Sequence, residues 1–290
     1  MSVDLNGAVD LHVHFGPDRQ VKRSVTAVEA VRQAQAAGHA GIVLKSHDQP
    51  TTGLAAALDE LFDIRVVGAV TCDVPNGGLN PHAVRAALEL GAGIVWLPTT
   101  SGTVDWPTIG RRLGVPEPGI AVCDDHDVLV GPAREILDLC VAHGAVVATG
   151  HISLREHIAV AAAMRGRGPV LATHVLESKA GPGRDMTDAF VTEFTGLGGL
   201  IEVCAHTLLG DDPVGSPERI AEIISLAGPE KCVLASDLGQ FHNPPPVLGL
   251  QLAADRLVEL GFSEKDVRRM AVDIPASLLA GAGRATRPGG

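Results

Sequence analysis

Aromatic side chains are scarce in this chain: they make up 3% of its 290 residues, with two Trp and no Tyr. An interior without large rings must be filled by Ala, Val, Leu and Ile in small branched layers, which suits a closed α/β barrel. Positive charge is also in short supply. The formal net charge of −11 opposes a main role on nucleic-acid backbones or anionic membranes, because both demand positive potential over a broad surface. Cysteines are few and unpatterned. Cys72, Cys123, Cys140, Cys204 and Cys232 contain no C-x-x-C pair, and their odd number prevents complete intramolecular pairing. Reduced thiols in a cytoplasm are expected. No apolar run reaches the roughly 18 residues of a membrane span, and the opening MSVDLNGAVD carries acid where a signal peptide carries basic residues. The expected location is cytoplasmic, and the expected partner is a small-molecule substrate, with no nucleic acid and no membrane. Two motifs are missing as well. There is no G-x-S-x-G elbow to activate a serine such as Ser46 or Ser236, and no glycine-rich phosphate loop follows the first apolar run.

What is present is an alternation of short β-branched runs with longer amphipathic ones, sustained almost from end to end. Strands are predicted at 9–15, 41–47, 64–72, 93–99, 145–151, 169–175, 200–206 and 232–238. Helix entries lie between them: Thr26 with Glu29 and Ser153 with Glu156 form capping boxes, and Ser216 precedes a first-turn Pro217. In 131–143, Ile136, Leu137, Cys140 and Val141 fall on one helical face. Gly38, Gly91, Gly144 and Gly261 close helices before the next element. Eight strands joined by right-handed helical crossovers close most naturally into a (β/α)8 TIM barrel, here as one domain over 1–290. Two irregularities are expected. Residues 100–130, rich in Gly and Pro, form a long insertion after strand four, serving as a lid or as a subunit contact in a homo-oligomer. After the eighth helix, Ser263 with Asp266 starts a further helical segment to about residue 280, expected on the barrel exterior, followed by a frayed tail at 283–290.

Residues able to bind a metal recur at the predicted strand ends. VDLHVHF places His12 and His14 on one face of strand one, since residues i and i+2 of a strand point the same way. Strand two ends in Lys45 and His47, strand five in His151, strand six in His174, strand seven in His206 and strand eight in Asp237. In a barrel these ends share one rim, where barrel enzymes place their chemistry. Imidazoles and a carboxylate gathered there are costly to desolvate without a cation. His39, His82, His126, His143, His157 and His242 fall in helices, turns or loops and are read as surface or packing residues.

The ordered set, H-x-H on strand one, single histidines ending strands five and six and an aspartate ending strand eight, resembles the amidohydrolase superfamily of metal-dependent hydrolases, in its compact branch without an N-terminal β-sandwich. The resemblance implies that His12, His14 and Asp237 hold one divalent ion and that His151 and His174 hold a second. The cofactor is thus one or two ions of zinc, manganese or iron. It also implies that Asp237 acts as general base toward water attacking a carbonyl-derived bond of a small, partly apolar substrate: amide, lactam, lactone or ester. Strand four ends in WLPTT and lacks the bridging lysine or glutamate of the best-known binuclear members. Lys45 is the only lysine at a strand end; it is either carboxylated and bridging, or an ammonium facing an anion. His47 and His206 are candidate substrate contacts. Phe15 and Trp96, with Trp106 and Phe241, lie in or beside rim segments and are either an apolar substrate wall or core. Three other functions stay open: a thioesterase on acyl-coenzyme A, its phosphates meeting Arg19, Lys22 and Arg23; a decarboxylase with one metal; and a noncatalytic metal-binding protein.

Overall fold

The computed structural model describes residues 2–174, 176, 187–210 and 215–281. The expected tail at 283–290 and residue 175, the expected end of strand six, lie outside them. Eight parallel strands run in the order of the sequence: β1 (Val9–His14), β2 (Gly41–Lys45), β3 (Arg65–Thr71), β4 (Ala92–Trp96), β5 (Val146–Ala148), β6 (Val170–Ala172), β7 (Leu200–Cys204) and β8 (Cys232–Ala235). The seam between first and last is closed just beyond β8. There the Asp237 N–H donates to the His12 carbonyl (2.8 Å) and the His14 N–H to the Leu238 carbonyl (2.9 Å). The result is the (β/α)8 barrel that the alternation predicts.

Helices α1 (Ala27–Ala36), α2 (Thr52–Leu61), α3 (Pro81–Glu89), α4 (Gly131–His143), α5 (Leu154–Met164), α6 (Asp188–Gly196), α7 (Ala205–Leu208), α8 (Pro217–Ala227) and α9 (Pro246–Glu259) separate or follow the strands. Both predicted capping boxes form, at Thr26 with Glu29 and at Ser153 with Glu156, and the Ser216 side chain accepts from the Arg219 N–H. Gly38, Gly91, Gly144 and Gly261 all have positive φ just past their helices. In α4 the face of Ile136, Leu137 and Cys140 is buried, while Val141 is half-buried at its edge.

Two apolar regions result. The barrel interior is filled by Val9, Leu11, Val43, Val67, Ile94, Trp96, Val146, Leu171 and Val233. Outside the strands, larger layers join sheet to helices, with Val70, Val95, Val147, Val203 and Leu234 facing residues such as Ile136, Phe194 and Ile224. The C-terminal segment corrects the expectation of exterior packing. Helix α10 (Glu264–Arg268) passes through a π-helical turn into α11 (Ile274–Leu279), whose Leu279 joins the interior cluster, with Ile274 and Leu278 packed against it. Val9, Val146 and Leu200, at the amino ends of their strands, belong to that region, so α11 stoppers this mouth of the barrel. An apolar face at 3.6 periodicity is compatible with either location, and periodicity alone does not distinguish them.

The strands are shorter than their apolar runs suggest, most clearly β5 and β6 at three residues each. Past β5 the chain turns at Gly150, whose φ is +64° and where a Cβ would meet the Leu97 carbonyl oxygen at 2.4 Å. His151 therefore leaves the ladder, and its N–H donates to the Pro98 carbonyl (2.8 Å). The insertion at 100–130 holds a π-helical turn at Trp106–Gly110 and is pinned to the start of α5, where Glu156 accepts from the N–H groups of Val122 (2.8 Å) and Cys123 (3.2 Å).

Candidate metal centre

The first strand carries a register irregularity between Asp10 and Val13. Bulges of this kind re-aim side chains. Leu11 points into the barrel interior, Val13 packs outside against α1, and His12 and His14 both reach the rim above the interior. Asp237 meets them from across the seam. Its φ of +50° is left-handed, a conformation that Asp adopts more readily than most residues but that still costs on the order of 1 kcal/mol or more. The next turn is tight: Gly239, with φ +128°, passes so close that a Cβ would lie 2.1 Å from the His14 carbonyl oxygen.

Asp237 Oδ1 lies 3.1 Å from Nε2 of His12 and 3.1 Å from Nε2 of His14, and its Oδ2 lies 3.8 Å from Nε2 of His174. Nε2 of His174 is in turn 3.0 Å from Nε2 of His151. Lys45, almost completely buried, sets its Nζ 3.0 Å from Nε2 of His12 and 4.9 Å from the Trp96 ring centre. All six metal-ligand candidates from the sequence, His12, His14, Lys45, His151, His174 and Asp237, thus come together at one mouth.

The other ring nitrogens are held from behind. His12 Nδ1 lies 3.1 Å from Glu202 Oε1, and the second oxygen of Glu202 accepts the His174 backbone N–H at 3.1 Å. His151 Nδ1 is hydrogen-bonded to Asp105, a fully buried residue of the insertion. Carboxylates in this position fix the tautomer and turn Nε2 toward a cation. Burial holds His14 and His174 well below the usual histidine range, with Arg23 adding to the effect at His14 and His151 at His174. Burial thus favours the neutral form at both, the form that ligates metal. Burial pushes the Asp237 carboxyl up, but His12, His14, His174 and His206 outweigh it and hold it well below the carboxylate range. Burial also lowers Lys45, against the pull of Asp237, Glu202 and Asp73.

This donor set fits a divalent cation. Pairs of basic nitrogens 3.0 Å apart face one another at His151 with His174 and at His12 with Lys45, and the Asp237 carboxylate reaches both His12 and His174. Ligand atoms of His12, His14 and Asp237 lie within 4.8 Å of one another. A second such group, His12 with Glu202 and Cys204, lies deeper and shares His12.

The rim opens on a cleft of about 230 Å³ lined by His14, Lys45, His47, His151, His174, His206 and Asp237. His47 Nδ1 is 2.9 Å from Asp73 Oδ2, while Asp73 Oδ1 accepts the N–H groups of Thr99 (3.0 Å) and Ser101 (2.9 Å). The buried Nδ1 of His206 has no hydrogen-bond partner among the described residues. His242, read from the sequence as a surface residue, is exposed but also lines the cleft. Two of the four aromatic candidates, Phe15 and Trp96, are placed otherwise. Phe15 packs with Val13, Val25 and Ala27 in the layer outside β1, and Trp96 is fully buried beneath the histidines. Neither lines the cleft. Glu202, Asp105 and Asp73 were missed from the sequence. Glu202 had a signal, a charged residue inside the apolar run LIEVC; Asp105 and Asp73 lie in loops and had none.

Among solved structures, the chain resembles an amidohydrolase from Pseudomonas aeruginosa (TM-score 0.63, 13% identity, covering 98% of this chain and 100% of that one). It also resembles 2,6-dihydroxybenzoate decarboxylase from Rhizobium (0.58, 12%, 94% and 98%) and a TatD homolog from Escherichia coli (0.56, 15%, 95% and 98%). At these identities the likeness is one of fold alone, a (β/α)8 barrel shared over nearly the whole length of each chain. No match is found among curated proteins. Residues 7–202, most of the barrel, match the profile described as a family of unknown function, DUF6282, and to that family this chain belongs.

Proposed function

We propose that the protein is a metal-dependent hydrolase acting on a carbonyl-derived bond, amide, lactam, lactone or ester, of a small substrate. One observation carries the reading: a single buried carboxylate, Asp237, turns one oxygen to the His12 and His14 pair and the other toward His174. His12, His14 and Asp237 would hold one ion, and His151 and His174 would contribute to a second. A divalent cation bound there supplies Lewis acidity, polarising a carbonyl and acidifying water. The chain's own residues do the rest. Asp237 accepts the proton of the attacking water, and Glu202 and Asp105 keep the imidazoles aimed. His47, fixed by Asp73, and His206 face the cleft where a leaving group departs.

Lys45 decides the number of ions. Carboxylated by carbon dioxide, it would bridge two; as an amine beside His12, it leaves only His12, His14 and Asp237 as a complete three-residue set at the rim among the described residues. That second arrangement supports the alternative of a mononuclear decarboxylase, the activity named for the Rhizobium neighbour. The acyl-coenzyme A reading would need phosphates to compete for cations that already have partners. Arg23 is spent on Asp18 at 2.6 Å, Arg19 pairs with Asp48 at 3.3 Å, and Lys22 lies 3.8 Å over the Phe241 ring. Metal analysis with turnover of lactone, ester and amide panels tests the proposal. Hydrolysis abolished by chelation and restored by zinc or manganese is the expected result. Release of carbon dioxide with about one ion per chain supports the decarboxylase, and bound metal without turnover supports a noncatalytic protein.

A further inference from the structure

Beside the metal-lined cleft lies a second cavity of about 160 Å³, walled by Val74, Pro75, Leu113 and Val115, with Arg19 at its rim. Gln20 and Thr100 line both spaces. The contrast between them is chemical. One is walled by imidazoles, Lys45 and Asp237, the other mainly by aliphatic side chains. The wall residues come from three separate segments: the loop after β1 (Gln20), the loop after β3 (Val74 and Pro75) and the insertion after β4 (Leu113 and Val115). Gln20 marks the boundary with a buried side-chain amide nitrogen that has no hydrogen-bond partner among the described residues. A buried donor left unpaired is costly, and an acceptor oxygen on a bound molecule removes that cost.

We infer that this second chamber binds the non-reacting part of the substrate. The reacting group sits among the histidines, a linking oxygen accepts from Gln20, and an apolar group fills the space between Val74 and Leu113. An apolar cavity of roughly 150 Å³ accommodates benzene, so the group is an aryl ring or an acyl chain of similar bulk. The inference rests on the hydrolase reading for the position of the reacting end, and it gives the insertion a role in selectivity, because Leu113 and Val115 then choose the substrate.

Alkyl and aryl hydroxamates serve as probes, because a hydroxamate is a metal-seeking head that carries a variable tail. Acetohydroxamate, hexanohydroxamate and phenylacetohydroxamate are titrated calorimetrically into the whole protein, with and without zinc. The two larger probes are expected to bind at least about tenfold more tightly than acetohydroxamate, from the apolar area that they bury. Leu113→Trp, which fills the chamber from within, is expected to reduce that ratio to below about twofold. Val74→Trp, at a position 40% exposed, does the same from the outer wall without burdening the core. Acetohydroxamate is too small to reach the chamber and reports that each variant is folded. Affinity independent of tail size, no binding of any tail, or a ratio that survives both substitutions overturns the chamber. A size ratio that persists while zinc makes no difference supports the chamber and sinks the metal reading. Zinc-dependent binding with no size ratio does the reverse.

Discussion

The two mouths of the barrel are made by the same eight strands yet have opposite chemistry. At the amino ends Val9, Val146 and Leu200 meet Leu279, Ile274 and Leu278, and the opening is stoppered with hydrocarbon. At the carboxyl ends six histidines, a lysine and an aspartate line a cleft, several held by carboxylates that the apolar interior would reject. One end gains free energy by excluding water. The other spends it to keep polar groups desolvated and aimed, which makes sense only if something binds there. Stability and the candidate chemistry thereby fall at opposite ends of the same strands, the division that barrel enzymes show generally.

Substitutions at each end should therefore separate the two properties. The largest effect is expected from Asp237→Asn, which should lower kcat/KM by about a thousandfold or more through loss of ligand and proton acceptor, with a far smaller fall in melting temperature as the histidines lose the carboxylate they stabilise. Steady-state kinetics with calorimetry checks both. At the opposite mouth, Leu279→Ala should cost about 2–4 kcal/mol in urea unfolding and leave kcat/KM per folded molecule intact; a large kinetic defect there would break the division. Glu202→Gln should weaken metal binding by roughly 10–100-fold, because one uncharged acceptor oxygen then replaces the two that serve His12 and the His174 N–H. Competition with a chromogenic chelator measures this.

The smallest effect concerns Asp18 and Arg23 beside the cleft. Burial pushes the Asp18 carboxyl up, but the Arg23 guanidinium outweighs it and holds the group below its ordinary value. A carboxyl depressed by folding adds stability above its unfolded pKa and loses it as the pH falls through the folded value. Asp18→Asn should thus cost about 1–2 kcal/mol at pH 7, and the difference from the parent should be smaller at about pH 3. Equal differences at both pH values, in paired urea titrations, would show that the pair contributes nothing electrostatic.

How much of this was legible beforehand follows from what sequence patterns encode. Alternation between periods of 2 and 3.6 residues, with caps at Thr26, Ser153 and Ser216, carries topology, because each element must bury one face. The ligand candidates were legible because closure brings every strand end to one rim, so His151 and Asp237 did not need to be neighbours in the chain. What escaped depends on details that no period expresses. Phe15 and Val13 turn outward beside two inward histidines, and α11 chooses the inside of the barrel over its surface. Asp105 reaches His151 from a loop of 31 residues, 100–130, whose path follows from its anchor on Glu156 and not from its composition. Trp96 lay at a strand end, as read, but one residue too deep to meet a ligand.

The hydrogen bonds that close the barrel and the side chains that would grip a cation belong to the same residues, His12, His14 and Asp237. A cation gripped by those three would act as a clasp across the longest loop of the chain, joining its first strand to its last where the ladder is thinnest. Losing the ion would then loosen the cylinder itself, and slowed amide exchange at His14 and Asp237 on metal addition would register the clasp closing.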